Sequence, residues 1–144
     1  MRSVRWVTDR LTLRFRSKRS KAKMTRIVFR RRDGIFYGFE EHGHTGYGES
    51  GEDVLCAALS AMTMLIVNTI EVSYASDIDY SIDENTTKIT VTAKGALPEF
   101  EEDERKRFAV GGIIMGYYYQ LNDLVEEYYD FLEVDVVDDE DDIA

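Results

Sequence analysis

The chain has 144 residues and a formal net charge of −10, with 44% hydrophobic residues, 12% aromatics, one proline and one cysteine. That length allows one domain burying roughly two thirds of its unfolded surface, and the composition excludes a disordered or fibrous protein. A single cysteine excludes an internal disulfide and a cysteine-based zinc site, and fits a reducing compartment.

Charge divides the chain. Residues 1–23 hold nine Arg or Lys against one Asp, net +8, so residues 24–144 carry −18. The first segment has no apolar stretch of signal-peptide length, because cations interrupt its apolar residues every two or three positions. It reads as a basic N-terminal extension, disordered or upstream of a true start at Met24. A basic arm reaching RNA phosphates and a transit-like segment are the other readings.

From Met24 the pattern is regular. Thr25 to Arg30 and Ile35 to Glu41 are β-prone, and Asp33-Gly34 between them is a hairpin signal. His42 to Glu52 contains four glycines in eleven residues and no large aliphatic side chain, and reads as a mobile loop. A helix is expected from about Asp53 to Glu71, capped by Asp53 or Ser50. Its buried face is expected to be Leu55, Ala58, Leu59, Met62, Leu65, Ile66 and Thr69. The uncharged run Val54–Ile70 spans 17 residues but includes Ser60, Thr63, Asn68 and Thr69, short of the ~20 apolar residues of a membrane span, so a buried helix is expected.

Asp77 to Ile82 and Lys88 to Ala93 alternate around Asp83-Glu84-Asn85-Thr86 and read as a second hairpin. Beyond Pro98 a long helix is expected from about Glu101 to Tyr129, with a core stripe of Val110, Ile114, Tyr117, Leu121, Leu124, Val125 and Tyr128. Gly111, Gly112 and Gly116 each weaken it by roughly 1 kcal/mol relative to alanine, which suggests a close packing contact there, within the chain or against a second subunit. Phe131 to Val137 reads as a last strand, and residues 138–144 as a solvated acidic tail. The order ββ-α-ββ-α-β gives an α+β fold, a two-layer sandwich of a mainly antiparallel sheet with both helices packed on one face, over residues 24–137.

Both histidines and the one cysteine fall within fifteen residues: His42, His44 and Cys56. Cys56 lies in an early turn of the first helix, where unpaired N–H groups and the positive dipole end favour a thiolate. His44, twelve residues earlier on the glycine-rich loop, can fold back to make a nucleophile and base pair. Asp53, Cys56 and Ser60 are spaced i, i+3, i+7, on one stripe about 60° wide at 100° per residue. Asp53 could cap the helix, orient a histidine or bind a cationic substrate. Against this, a lone cysteine followed by Ala-Ala-Leu is on base rates an inert core residue, and histidines in such a loop are more often ordinary exposed residues. A metal site is disfavoured, since His-X-His with one cysteine and no firm fourth ligand is a weak signature.

The string Gly43-His44-Thr45, a glycine-rich loop, and then Gly51-Glu52-Asp53-Val54-Leu55-Cys56-Ala57-Ala58-Leu59-Ser60-Ala61 resembles the ribosomal-processing cysteine protease family, Prp or YsxB-like. The resemblance covers about residues 24 to 137. It implies Cys56 as nucleophile and His44 as general base, with Asp53 and Ser60 at supporting positions and His42 outside the motif. It further implies a bacterial cytoplasmic homodimer that needs no cofactor, metal, membrane or nucleic acid. Such a protein would remove the short N-terminal extension of ribosomal protein number twenty-seven of the large subunit, cutting after an aromatic residue. The chain departs from the pattern at Thr45, where alanine is usual, and in the loop tip Gly48-Glu49-Ser50-Gly51. The charge of −18 on residues 24–144 would attract a basic ribosomal protein at low salt. The competing readings are a non-catalytic ribosome-associated or RNA-binding assembly module with Cys56 in the core, and a thiol redox sensor.

Overall fold

A computed structural model describes residues 24–43 and 50–139. The chain runs β1 (Thr25–Arg32), β2 (Ile35–His42), α1 (Ser50–Asn68), a π-helical turn (Thr69–Ser73), β3 (Asp79–Asp83), β4 (Lys88–Thr92), a short 3-10 turn (Lys94–Ala96), α2 (Glu104–Tyr128) and β5 (Leu132–Asp138). The strands form one five-stranded sheet in the order β3-β4-β2-β1-β5. Every pairing is antiparallel except β1 with β5, and α2 carries the chain from β4 across the sheet to β5.

Local chemistry explains the turns. Asp33 and Gly34 both take positive φ, 51° and 79°, as a two-residue hairpin with the right twist requires. The carboxylate of Asp83 accepts from the amides of Asn85 and Thr86 at 2.9 and 3.3 Å, closing the β3–β4 turn. Asp103 caps α2 by accepting from the Arg105 amide at 2.9 Å, so that helix starts later than the Glu101 expected from periodicity.

One irregularity shapes the core. Arg30 pairs with Gly38 but Arg31 with Phe36, so Tyr37 is an extra residue on β2. The bulge turns Phe36 to the same side as Phe39, and both pack on Phe29 with ring centroids 6.0 and 5.6 Å apart. Tyr117 and Tyr118 of α2 meet Phe29 edge-on at 5.7 and 5.3 Å. Along α2 the buried stripe is Val110, Ile114, Tyr117, Tyr118, Leu121 and Val125, while Leu124 and Tyr128 are half-buried. Of the three glycines, only at Gly111 would a Cβ come into van der Waals contact, 3.6 Å from the Phe36 carbonyl oxygen, whereas at Gly112 and Gly116 it would meet nothing within 4 Å among the described residues.

The first helix begins at Ser50, three residues before the expected start, and its regular part ends at Asn68. Asp53 therefore lies inside the first turn and is not the N-cap. Leu55, Leu59 and Ile66 are buried as expected, with Ala58, Met62 and Thr69 half-buried, but Leu65 is 62% exposed, and Ile70, outside the expected face, is fully buried. Periodicity made the apolar face too wide: Val67 is buried in place of Leu65, on the opposite flank of the stripe. With the π turn added, Val54–Ser73 is long and apolar enough to cross a membrane by length and composition alone, longer than the 17-residue run indicated. Here its buried side chains form part of the core, which also accounts for such a composition.

Both helices lie on one face of the sheet. Glu41 of β2 shows this directly, because one of its oxygens accepts from Thr63 of α1 at 2.7 Å and from Tyr117 of α2 at 2.8 Å. The acidic end is also partly structured. Asp138 belongs to β5 and binds Arg31 at 2.6 and 2.9 Å, and Asp139 accepts from the Tyr37 hydroxyl. The tail expected from Asp138 therefore starts later, because β1 extends the pairing of β5 and supplies the arginine.

Candidate active site

The strand that leads into the glycine-rich loop ends in a constrained way. Gly43 takes a φ of +79°, and a Cβ there would stand 2.6 Å from the Met24 carbonyl oxygen. Only glycine allows this turn so close to the β1 backbone. The Gly-His pair seen in the sequence thus has a structural reason for its first member. Residues 44–49, which include His44 and Thr45, and the side chains of residues 50–53, Asp53 among them, lie outside the described residues. So do the basic segment 1–23 and residues 140–144.

Cys56 is the seventh residue of α1, in its second turn, half-buried and free of disulfide bonding. Because the helix starts earlier than expected, the cysteine sits beyond the first turn, where the dipole is felt most strongly. Its neighbours Leu55 and Leu59 are buried and Ser60 is exposed. Cys56 therefore lies on the boundary between core and solvent, on the regular helical stripe it shares with Ser60 and the backbone position of Asp53. A thiol at such a boundary can be reached by a peptide, unlike an inert core cysteine.

His42 sits elsewhere. Its Nε2 is 3.3 Å from Glu40, which also receives Lys88 at 3.6 Å and Arg30 at 3.8 Å. Since Glu41 points to the helices, Glu40 and this charged group occupy the opposite face of the sheet. The structure thus separates His42 from the helix that carries Cys56.

The sequence reading missed Glu41, whose side chain is fully buried. Two consecutive glutamates hide which one points inward, although counting alternate positions from Phe39 identifies Glu41. Burial of Tyr117 itself, and then the charge of Glu41, push the Tyr117 hydroxyl well above its ordinary pKa, so Tyr117 remains a donor. Glu41 ties the strand that precedes Gly43-His44 to the helix that carries Cys56. Thr63 lies seven residues beyond Cys56, roughly 10 Å along the helix axis. Among the described residues no group of three or more His, Cys, Asp or Glu side chains could hold a metal ion.

Comparison with known proteins adds a family to this geometry. The sequence pattern of the family described as cysteine protease Prp matches residues 24–133. Among curated proteins no sequence matches. Among solved structures, SMU.848 from Streptococcus mutans is similar with a TM-score of 0.67 at 26% identity, over 81% of this chain and 99% of that one. The essential ribosomal processing protease Prp from S. aureus, in complex with a substrate peptide, is similar with a TM-score of 0.64 at 19% identity, over 79% of this chain and 100% of that one. The same S. aureus protein with a covalently linked product peptide gives 0.62 at 21%, with the same coverage. At these last identities the likeness carries the fold.

Proposed function

The chain belongs to the cysteine protease Prp family, and from that premise we propose that it is an endopeptidase with Cys56 as nucleophile and His44 as general base. Its substrate is the short, basic N-terminal extension of ribosomal protein number twenty-seven of the large subunit. The observation that carries the reading is the family match over residues 24–133, which spans the whole His44 to Cys56 segment and includes the chain's only cysteine.

His44 takes the proton of the Cys56 thiol, and the sulfur attacks the scissile carbonyl carbon to give a tetrahedral oxyanion. Backbone amides near the start of α1 stabilise that oxyanion, each well-placed donor contributing roughly 3 to 4 kcal/mol. The C–N bond breaks as His44 returns its proton to the leaving amine, leaving a thioester on Cys56. Water, deprotonated by His44, then attacks the thioester and releases the acid, restoring the thiol. Asp53 and Ser60 support this pair from the same helical stripe. The half-buried position of Cys56 beside exposed Ser60 supports access by an extended peptide.

The protein acts in the bacterial cytoplasm as a homodimer. Exposed Val54, Met64 and Leu65 on α1 and Phe108 on α2 support an apolar association surface. The decisive test incubates the full-length protein, with Cys56→Ala as control, with the N-terminal peptide of the cognate ribosomal protein, and follows products by mass spectrometry. Cleavage at one bond by the wild type alone is expected. A peptide that binds but stays intact would overturn the proteolytic substrate assignment.

A further inference from the structure

A fully buried carboxylate stands between the two segments that carry the proposed chemistry. Glu41 lies near the end of β2, and two residues later the chain turns at Gly43. Its oxygen bound to Thr63 of α1 at 2.7 Å also accepts from Tyr117 of α2 at 2.8 Å. Burying a carboxylate is unfavourable unless donors meet it, and an apolar side chain of similar volume would pack there at lower cost. What the carboxylate adds is direction, because its bonds form in one register of strand and helix.

The helix carries that register to Cys56. Thr63 follows Cys56 by close to two full turns, so the two side chains point within about 20° of one another, roughly 10 Å apart along the axis. Thr63 and Val67, about 20° to either side of Cys56 in direction, are 2% and 6% exposed, whereas Cys56 is half-buried. The packing that closes over this stripe at Thr63 is therefore open at Cys56. The far end of α1 lies by the start of β2. The Ile70 carbonyl accepts from the Ser76 amide at 3.0 Å, the Ser76 hydroxyl stands against Gly95, and the Ala93 amide donates to the Tyr37 carbonyl at 2.7 Å. So α1 runs back along β2, and its N-terminal half reaches from Glu41 toward the strand end at Gly43, itself roughly 7 Å beyond Glu41.

We propose that Glu41 is a positioning residue: through Thr63 it sets how α1 slides and rolls along β2, and so where the Cys56 sulfur stands relative to the strand end at Gly43. This rests on the role proposed above for Cys56. The bond to Tyr117 does a different job, since it joins the strand to α2, which carries no residue of the candidate site. The two bonds are similar in length and meet at one oxygen. Removing one donor or the other therefore separates the placement of the cysteine from the stability of the fold.

Three variants of the full-length protein test this. Thr63→Val removes the hydroxyl of α1 and keeps its shape, with Thr63→Ala in its place should the valine variant not fold. Thr63→Ser keeps the hydroxyl, and Tyr117→Phe removes the hydroxyl of α2. Each is compared with the wild type well below its own unfolding midpoint, by peptide cleavage and by the rate at which iodoacetamide alkylates Cys56. Thr63→Val should lower kcat at least about tenfold with KM within about twofold, because a small misplacement of a reacting group costs rate rather than binding. It should also change the alkylation rate at least about threefold. Thr63→Ser should restore both to within about twofold, and Tyr117→Phe should keep both within about twofold although it destabilises the fold. Wild-type kcat and alkylation in Thr63→Val would overturn the proposal, as would a Tyr117→Phe variant that loses as much, or a Thr63→Ser variant that restores nothing. A wild type that cleaves no peptide overturns the proteolytic function instead, and the alkylation rates then decide the placement of Cys56 by the same comparison.

Discussion

The alternation of β2 sets the surroundings of one of the two histidines. His42 joins a charged group of Glu40, Arg30 and Lys88 on the face away from the helices. His44 follows Gly43 in the sequence and lies outside the described residues. The contrast leads to a specific expectation for peptide cleavage: Cys56→Ala and His44→Ala each abolish turnover with the thermal unfolding midpoint unchanged, whereas His42→Ala retains most of kcat/KM. Equal loss in all three variants would remove His44 from the chemistry. A second single-residue effect concerns alkaline pH. Burial, and then the bond to Asp139, pushes the Tyr37 hydroxyl from about 10 up to about 12. The folded state therefore holds this proton more tightly than the unfolded chain does. Its contribution is complete below pH 10 and is lost as pH rises toward 12. Urea titrations across that range should show stability falling more steeply in the wild type than in Tyr37→Phe.

The first helix shows what periodicity can and cannot fix. Apolar residues surround much of it, so spacing alone placed Leu65 in the buried face, where the fold instead puts Val67. Truncation separates the two sides: Leu59→Ala should cost about 2 to 5 kcal/mol, and Leu65→Ala should stay within about 0.5 kcal/mol, by urea denaturation. The helix is also anchored through Glu41, which accepts from Thr63 and from Tyr117. Tyr117→Phe removes a donor from a buried carboxylate without changing the packing of the ring. A loss of about 1.5 to 3 kcal/mol is expected in the same assay, and a neutral result would mean that the bond contributes nothing net. The aromatic cluster of Phe29, Phe36, Phe39, Tyr117 and Tyr118 holds α2 to the strands independently of that bond.

The molecule as a whole is strongly acidic outside its first 23 residues, and several carboxylates on the sheet are held by arginines of β1. Arg31 keeps Asp138 below the ordinary carboxylate range, chiefly through their hydrogen bond. On the proposed function, the remaining negative charge would act at long range on a basic substrate peptide. Raising salt from about 0.05 to 0.5 M shortens the screening length severalfold, so kcat/KM for a basic peptide should fall while that for a neutral analogue of the same apolar sequence holds. Parallel salt curves for the two peptides would show that charge does not guide encounter.

By itself the sequence determined the order of strands and helices, the two hairpins, the core stripe of α2 and the place of the one cysteine on the first helix. Those features are written in local spacing and turn chemistry, which a single strand or helix imposes on its own residues. Tertiary structure alone decided which groups hold the buried Glu41 and which flank of α1 faces the core. It also decided where β5 ends and that Phe36 joins Phe39 across a bulge. Each of these depends on what a distant segment supplies: a hydroxyl from α1 or α2, an arginine from β1, or the register between two strands.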